Sequence, residues 1–275
     1  MRLEAMDYLC CPSCNGSLEI SATETVEAEA MSGALECRQC KRRFEIQDGM
    51  PDLNFPESLD KSDREQRAFY DRRARVYDIR VRASQGRLGI WDYAFTPGRS
   101  RRPLVKGLEL RKNASVLDTG TGTGNFLLSI ASEIGEGGIL HGSDISRGML
   151  SVAQRKMKAR GIRAELLQAN GSYLPYRTEA FDAVLHVGGF NTYAEKKRAM
   201  DEMYRVAKPG AKIVVCDEGL APGKEKTLIA KFALWRDKNY DTKPPTELVP
   251  DNTEDLKVFW VWQGFSWVIE FRKAR

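Results

Sequence analysis

The sequence predicts an α/β chain, a mostly parallel sheet with crossover helices, and a small metal-stapled segment ahead of it. Three observations carry the prediction. A β-rich run at 115–117 ends at Asp118, meets glycines at 120, 122 and 124, and passes into a helix-competent run at 125–134. A second short strand, 139–143, ends at another acid, Asp144. Strands that alternate with helical patterns make βαβ units. Near the N-terminus two C-x-x-C pairs, Cys11/Cys14 and Cys37/Cys40, stand 22 residues apart.

The 275 residues suit roughly two domains and need no disulfide staples to fold. A composition of 42% hydrophobic and 29% charged residues is that of a globular protein. It excludes collagen-like, mucin-like and disordered chains. No apolar run approaches the ~18 residues of a membrane span. The longest, 258–269, is broken by Gln263, Gly264 and Ser266. The first residues carry acids and no apolar h-region, so no signal peptide is expected and a reducing, cytoplasmic setting is the default. In that setting six cysteines read as metal ligands or buried thiols.

The net charge of +5 hides a split. Residues 1–56 hold 5 Lys/Arg against 10 Asp/Glu, and residues 57–113 hold 15 against 8. The cationic stretch with Arg72, Arg73, Arg75, Arg80, Arg82 and Arg87 reads either as a phosphate-attracting surface or as a solvated helix face pairing with Asp71 and Asp78.

Each C-x-x-C pair offers two thiolates from a tight turn, and two pairs supply the four soft ligands of a tetrahedral Zn²⁺. A redox pair and free thiols are the alternatives. A four-thiolate site is coordinatively closed, so its expected role is structural. About 56 residues with few large apolar groups build little core, and metal binding would supply the missing folding free energy. Cys10 is the spare thiol, and the pattern around it runs strand pair, knuckle, strand at 44–46, then a turn at 47–53. The CPSC, CRQC and DGMPDL stretches resemble the rubredoxin-like zinc ribbon fused ahead of many methyltransferases. That resemblance implies an interaction or substrate-presenting module.

Residues 60–82 read as a helix, with Ser62 and Glu65 as a capping box. Tyr70, Ala74, Tyr77 and Val81 form its apolar face. The two Tyr-Asp pairs, 70–71 and 77–78, are expected either to pack in an interface or to close over a cofactor and offer it phenol oxygens.

Glycines at a strand-to-helix turn let a ligand approach the backbone closely. The dinucleotide fingerprint G-x-G-x-x-G needs glycine at 125, where Asn125 stands. A carboxylate at Asp118 would repel a pyrophosphate and suits a ligand bearing ammonium and sulfonium groups. Asp144, twenty residues beyond Gly124, is placed to accept ribose hydroxyls. His141 reads as a buried strand residue.

The ordered set DTGTGTG, HGSDIS, LPYRTEAFDAVLHV and RVAKPGAKIVVCDE resembles class I S-adenosylmethionine-dependent methyltransferases, nearest the small-molecule group of ubiquinone and menaquinone biosynthesis. The likeness runs from about Phe69 to the C-terminus. It implies a Rossmann-like, mostly parallel sheet with an antiparallel C-terminal hairpin, over a division into a ribbon at 1–56 and a methyltransferase domain with N-terminal lid helices at 57–275. It implies that Asp118, Gly120, Thr121, Gly122 and Gly124 underlie the methionyl part. Asp144, Ile145 and Met149 would hold the adenosine, and Asn170, Gly171 and Ser172 the adenine edge. Tyr70 and Tyr77 would be lid tyrosines, and His186 would face the transferring methyl. The family usually has Asp where Asn170 stands, and an amide oxygen still accepts that bond.

The remaining pattern predicts a helix at 194–206 with Met200, Met203 and Tyr204 on one side. A Lys208-Pro-Gly210 turn leads into a strand at 213–216, with Cys216 in the core. A helix at 224–238 and strands at 256–262 and 265–271 follow, a hairpin across Gln263 and Gly264. Phe259, Trp260, Trp262, Phe265 and Trp267 read as sheet core or acceptor pocket.

Methyl transfer from a sulfonium is an in-line displacement in which positioning matters most. A base is required only for an acceptor proton of high pKa. His186 is the first candidate, with Tyr70, Tyr77 and Asp217 beside it, and Gly188 to Asn191 lining the acceptor pocket. The expected reaction is methylation of a small-molecule acceptor. RNA methylation through the ribbon and the basic 57–113 stretch is the rival, weakened by the ribbon's acidity. A non-catalytic module that docks a protein partner through the ribbon is the third reading, and the intact glycine loop argues against it.

Overall fold

The computed structural model of the chain describes residues 1–26, 28–85 and 101–275, and among these the side chains of all but 80–85. The main sheet is built from β5 (Ser115–Thr119), β6 (Ile139–Asp144), β7 (Glu165–Gln168), β8 (Phe181–Val187), β9 (Ala207–Glu218), β10 (Thr253–Val261) and β11 (Ser266–Lys273). Its order is β10-β11-β9-β8-β5-β6-β7. β7, β6, β5, β8 and β9 run parallel, while β11 pairs antiparallel with both β9 and β10. This is the expected Rossmann-like sheet with its antiparallel hairpin. The chain leaves β5 in one direction and returns on its other side at β8, so the crevice at the β5/β8 strand ends is where such a sheet binds ligands.

Strand alternation explains how both faces are covered. Val116, Ala183, Val214 and Val268 belong to one core with Leu127, Ile130, Leu150 and Met157. Their neighbours Leu117, Val184, Val215 and Ile269 belong to the other, with Met200, Met203 and Val206. A strand buried on both faces shows this period of two with apolar residues throughout. The helices concerned are α1 (Lys61–Gln85), α2 (Arg102–Gly107), α3 (Asn125–Ile134), α4 (Arg147–Lys158), α5 (Lys196–Val206) and α6 (Leu228–Arg236).

Two local expectations are corrected. Ser62 lies inside α1 and is no N-cap: Asp60 Oδ1 accepts from Ser62 N at 2.9 Å, and Ser62 Oγ donates to Thr192 O at 2.7 Å. The Lys208-Pro-Gly210 turn is a bulge within β9. The ladder steps from Phe181↔Ala207 to Ala183↔Lys212, with Gly210 at φ 79° absorbing the excess.

The N-terminal segment is a four-stranded antiparallel sheet, β1 (Leu18–Val26), β2 (Glu29–Cys37), β3 (Arg43–Gln47) and β4 (Met50–Pro51). Its scarcity of apolar residues is resolved by sharing. Leu9, Cys11, Leu18, Leu35 and Leu53 join the same core as Leu117, Leu167, Tyr176 and Phe181. The segment also covers the edge of β7: Asp52 bridges Gln168 in parallel, Leu53 N donates to Gln168 O at 2.8 Å, and Arg2 pairs with Glu165. Tyr8 packs on His141 and Phe181 at ring distances of 4.8 and 5.5 Å. His141 is buried as expected, and burial lowers its pKa to about 3, so it is neutral at this junction.

Candidate active site

The glycine loop joins β5 to α3. Gly120, Gly122 and Gly124 take φ of 70°, 55° and 74°, left-handed values that side chains avoid. Three such residues in five bare the backbone of the loop. Gly120 and Gly122 line a single cavity above the strand ends, together with Thr121, Asp144, Ile145, Met149, Asn170 and Gly171. Tyr70 and Tyr77 line it from α1.

Four expected site residues do not reach the cavity wall: Asp118, Gly124, Ser172 and His186. Asp118 is buried and its Oδ2 accepts from Thr121 Oγ1 at 2.6 Å, so it braces the loop from beneath. Gly124 caps α3, and a Cβ there would meet Ala153 Cβ at a tight 3.1 Å. Ser172 N donates to Asn170 Oδ1 at 3.0 Å.

His186 requires a correction. It is wholly buried, and its Nδ1 lies 2.8 Å from Thr119 O. A carbonyl only accepts, so Nδ1 carries the proton and Nε2 is a bare acceptor. Burial holds its pKa down at about 4, against the Thr119 carbonyl. The ring sits under Gly120, where a Cβ would come within 3.0 Å of His186 Cε1. The neighbours Val187, Gly188 and Gly189 line the cavity instead.

Sequence reasoning missed the clamp that holds α1 over the cavity. Asp71 Oδ1 accepts from Ser146 Oγ at 2.6 Å and Gly148 N at 2.9 Å, at the start of α4. Asp78 Oδ1 accepts from Thr123 Oγ1 at 2.6 Å and Asn125 Nδ2 at 3.1 Å, and Lys156 Nζ stands 2.7 Å from Asp78 Oδ2. Burial would raise the Asp78 carboxyl, but these bonds, Lys156 first, hold it below its ordinary value. The two Tyr-Asp pairs thus divide the work, phenols inward and carboxylates onto the loops. Arg72 and Arg75 are exposed, as the solvated-face reading expects, and Arg73 lies over the Phe69 ring. The side chains of Arg80, Val81, Arg82 and Arg87 lie outside the described residues.

Asp63 is a second missed residue. It lines the cavity, and its Oδ2 accepts from Asn170 Nδ2 at 3.1 Å. A carboxylate from α1 therefore stands beside the amide that replaces the family's usual acid.

At the far end the cavity is walled by Cys216, Asp217, Glu218, Trp262 and Ser266. Asp217 accepts from the backbone N–H groups of Asn191 at 2.6 Å, Glu218 at 2.8 Å and Gly189 at 3.3 Å. Burial, then the neighbouring Glu218 charge, pushes its carboxyl well above the usual range. Of the C-terminal aromatics, Trp262 faces the cavity while Trp267 is sheet core.

Away from this cavity, Cys11, Cys14, Cys37 and Cys40 bring four sulfurs within 4.8 Å of one another. The Cys11–Cys40 and Cys14–Cys37 separations are 3.6 and 3.5 Å. Four thiolates about 2.3 Å from a tetrahedral Zn²⁺ lie about 3.8 Å apart, so the donor set fits that ion. Burial raises the Cys37 thiol, but the backbone N–H groups of Cys40 and Gln39 outweigh it and bring it down to about 7. Cys10 stands outside the cluster, buried, with its thiol pushed up to about 11 by desolvation.

The methyltransferase-domain family model matches residues 116–210, and the Trm112p-like protein model matches residues 2–49. The chain is 39% identical over 117 residues to a demethylmenaquinone methyltransferase of Thermus thermophilus, covering 42% of this chain and 52% of that one. It is 34% identical over 119 residues to the ubiquinone/menaquinone biosynthesis C-methyltransferase UbiE of Pectobacterium carotovorum, covering 42% and 47%. The chain spans about half the length of the curated relatives it matches. The fold superposes with a TM-score of 0.53, at 13% identity, on a chain from the complex of the Haloferax volcanii Trm112 methyltransferase activator with a methyltransferase, covering 76% of this chain and 97% of that one. Glycine loop, strand order and family match agree: residues 116–210 are similar to the methyltransferase-domain family on a Rossmann-like sheet, and residues 2–49 are similar to Trm112p-like proteins.

Proposed function

We propose that the chain methylates a small-molecule acceptor at the cavity above β5 and β8. The carrying observation is the charge of the wall. Its acids are Asp63, Asp144, Glu218 and Asp217, the last biased by burial toward its neutral form, and its single basic side chain among the described residues is Arg101. A polyanionic RNA would meet repulsion there, whereas an uncharged ring would not. The quinone acceptors in the relatives' names have that character, and the aromatic side chains of Tyr70, Tyr77 and Trp262 suit a flat hydroxylated ring.

S-adenosylmethionine, bound over the glycine loop, supplies an already activated methyl group. The bared backbone of Gly120 and Gly122, the strand-end carboxylate as acceptor and the two phenols are the polar groups such a ligand uses. In this reading Asp144 accepts from the ribose hydroxyls, and Asp63 supplies the carboxylate for the adenine amino group that Asn170 lacks. Tyr70 and Tyr77 exclude water, and Asp217 orders the Gly188–Asn191 turn. In this reading Glu218, beside Asp217 on the cavity wall, takes the proton of an acceptor hydroxyl in place of His186. The ribbon, residues 1–56, acts as a fused, zinc-held subunit that seals the β7 edge. The methyltransferase domain occupies residues 57–275.

The test is incubation of the purified chain with methyl-labelled S-adenosylmethionine, offered a demethylated hydroquinone or total RNA. Label in the hydroquinone fraction is expected. Label confined to RNA, or no measurable affinity for S-adenosylhomocysteine, overturns the reading.

A further inference from the structure

α6 is amphipathic in the inverted sense. Its small residues face inward: Ala230 and Ala233 are buried against Phe265, with Leu220 and Tyr240 alongside. Its large apolar residues face water. Leu228 is 83% exposed, Trp235 81%, Ile229 40% and Phe232 38%. The Phe232 and Trp235 rings lie 5.6 Å apart, so the face is continuous along the helix. Local signals secure the helix itself, since Thr227 Oγ1 accepts from Ala230 N at 3.2 Å. Packing among the described residues therefore does not explain Leu228 and Trp235, which are more than four-fifths exposed, and exposed apolar surface of this kind marks an interaction site.

The surroundings indicate the partner. Lys226, Lys231, Arg236, Lys238 and Lys243 are exposed and Lys224 partly so, against the acids Glu225, Asp237 and Asp241. We propose that α6 is a docking element for an anionic lipid bilayer. Leu228, Phe232 and Trp235 enter the boundary between headgroups and acyl chains, and the flanking cations stand at the phosphates. Apolar and indole side chains on one face with Lys and Arg around it are the composition of interfacial helices. Indole rings favour the headgroup level, and lysine stems run along apolar surface while the ammonium stays in the polar layer. A second copy of the chain fits less well, because a two-fold contact would bring the same cations face to face. Phe265, beneath α6, adjoins Ser266 of the cavity wall. A bilayer holding α6 thus lies beside the cavity rim. The inference stands on the surface alone and does not depend on the acceptor's identity.

The test is flotation of the full chain with phosphatidylcholine vesicles, with and without phosphatidylglycerol, at low and high salt. The expected result is binding to the phosphatidylglycerol vesicles that weakens as salt rises. Leu228→Gln and Trp235→Gln should each weaken it by about tenfold or more. Both variants should keep the parent melting temperature and affinity for S-adenosylhomocysteine, because both side chains are more than four-fifths exposed. Three results would overturn the proposal. One is a parent chain that stays with the aqueous fraction; another is variants that float like the parent. The third is a sedimenting dimer that the same variants dissolve, which would assign the face to self-association.

Discussion

Burial pushes the Asp118 carboxyl up to about 7, against the bond from Thr121 Oγ1 that favours its charge. An acid whose folded value lies above its ordinary 3.8 binds more protons folded than unfolded between those two values. Stability therefore falls as pH rises from about 4 to 7, and the full penalty is present above that. Asp118→Asn keeps an oxygen for Thr121 and removes the charge. We expect the variant to be more stable than the parent by on the order of 2 kcal/mol at pH 8, with the difference vanishing near pH 4. Thermal melts across that range check it, and a variant that loses stability at pH 8 would place the carboxylate in a role other than bracing. Asp144 differs because it faces the cavity. Burial raises it to about 6, against the N–H groups of Ser146 and Gly122. In the proposed binding mode ribose hydroxyls donate to its ionised form, so ligand binding would draw the proton off. Affinity for S-adenosylhomocysteine should fall by about tenfold from pH 7 to pH 5. Titration calorimetry at the two values reads this, and Asp144→Asn should flatten the dependence.

At the level of elements, the clamp on α1 carries the next prediction. Asp71 reaches the start of α4, and Asp78 reaches the start of α3 and Lys156. The bonds to Asp78 and that from Ser146 to Asp71 are partly buried and charge-assisted, worth about 1.5–3 kcal/mol each by general experience, while the Gly148 bond to Asp71 is exposed and worth less. Replacing both aspartates by alanine should free α1 while leaving the sheet intact. Affinity for S-adenosylhomocysteine should drop by about tenfold or more as Tyr70 and Tyr77 lose their places, with a smaller change in melting temperature. Equal affinity in the double variant would show that the lid is held by packing alone. This clamp also marks the limit of what was legible in the sequence. The α3 bounds, the β5 and β8 strands, the glycine loop and the four thiolates are local signals, readable from spacing. Asp71, Asp78 and Asp63 act on partners 45 to 131 residues away in the chain, and no periodicity encodes such a contact. The reading of α1 as a lid came from its tyrosines, while the aspartates beside them passed for partners of neighbouring arginines. His186 shows a different failure. A strand turns successive side chains to opposite faces, so an equivalence one residue out moves the group from the cavity to the core. Val187 and Gly188 hold the positions expected of it.

For the whole molecule, the shared core joins the N-terminal segment to the sheet more tightly than a linker between two domains would. Leu9, Cys11 and Leu35 pack in the same cluster as Leu167 and Tyr176, and Arg147 Nη2 donates to Gln47 O at 2.6 Å. The segment also occupies the β7 edge, where unpaired backbone groups would otherwise invite association. A structural zinc contributes roughly 10–16 kcal/mol of apparent binding free energy in small domains. That is comparable to the ~5–15 kcal/mol that holds a typical domain folded. Stripping the ion should therefore unfold the ribbon, remove one side of the shared core and expose β7. The expected outcome is a single calorimetric transition for the zinc-loaded chain. A strong chelator should lower it markedly and bring aggregation, and S-adenosylhomocysteine should recover part of the loss by binding the folded state alone. Cys14→Ser, at an exposed member of the four-cysteine cluster, should reproduce the effect without chelator. If the main transition stayed at its original temperature after zinc removal, the ribbon would be an appendage and the fused-subunit reading would fail. If that one transition moves down as a whole, the segment at 2–49 and the sheet it covers are one folding unit, held at the place where four sulfurs converge.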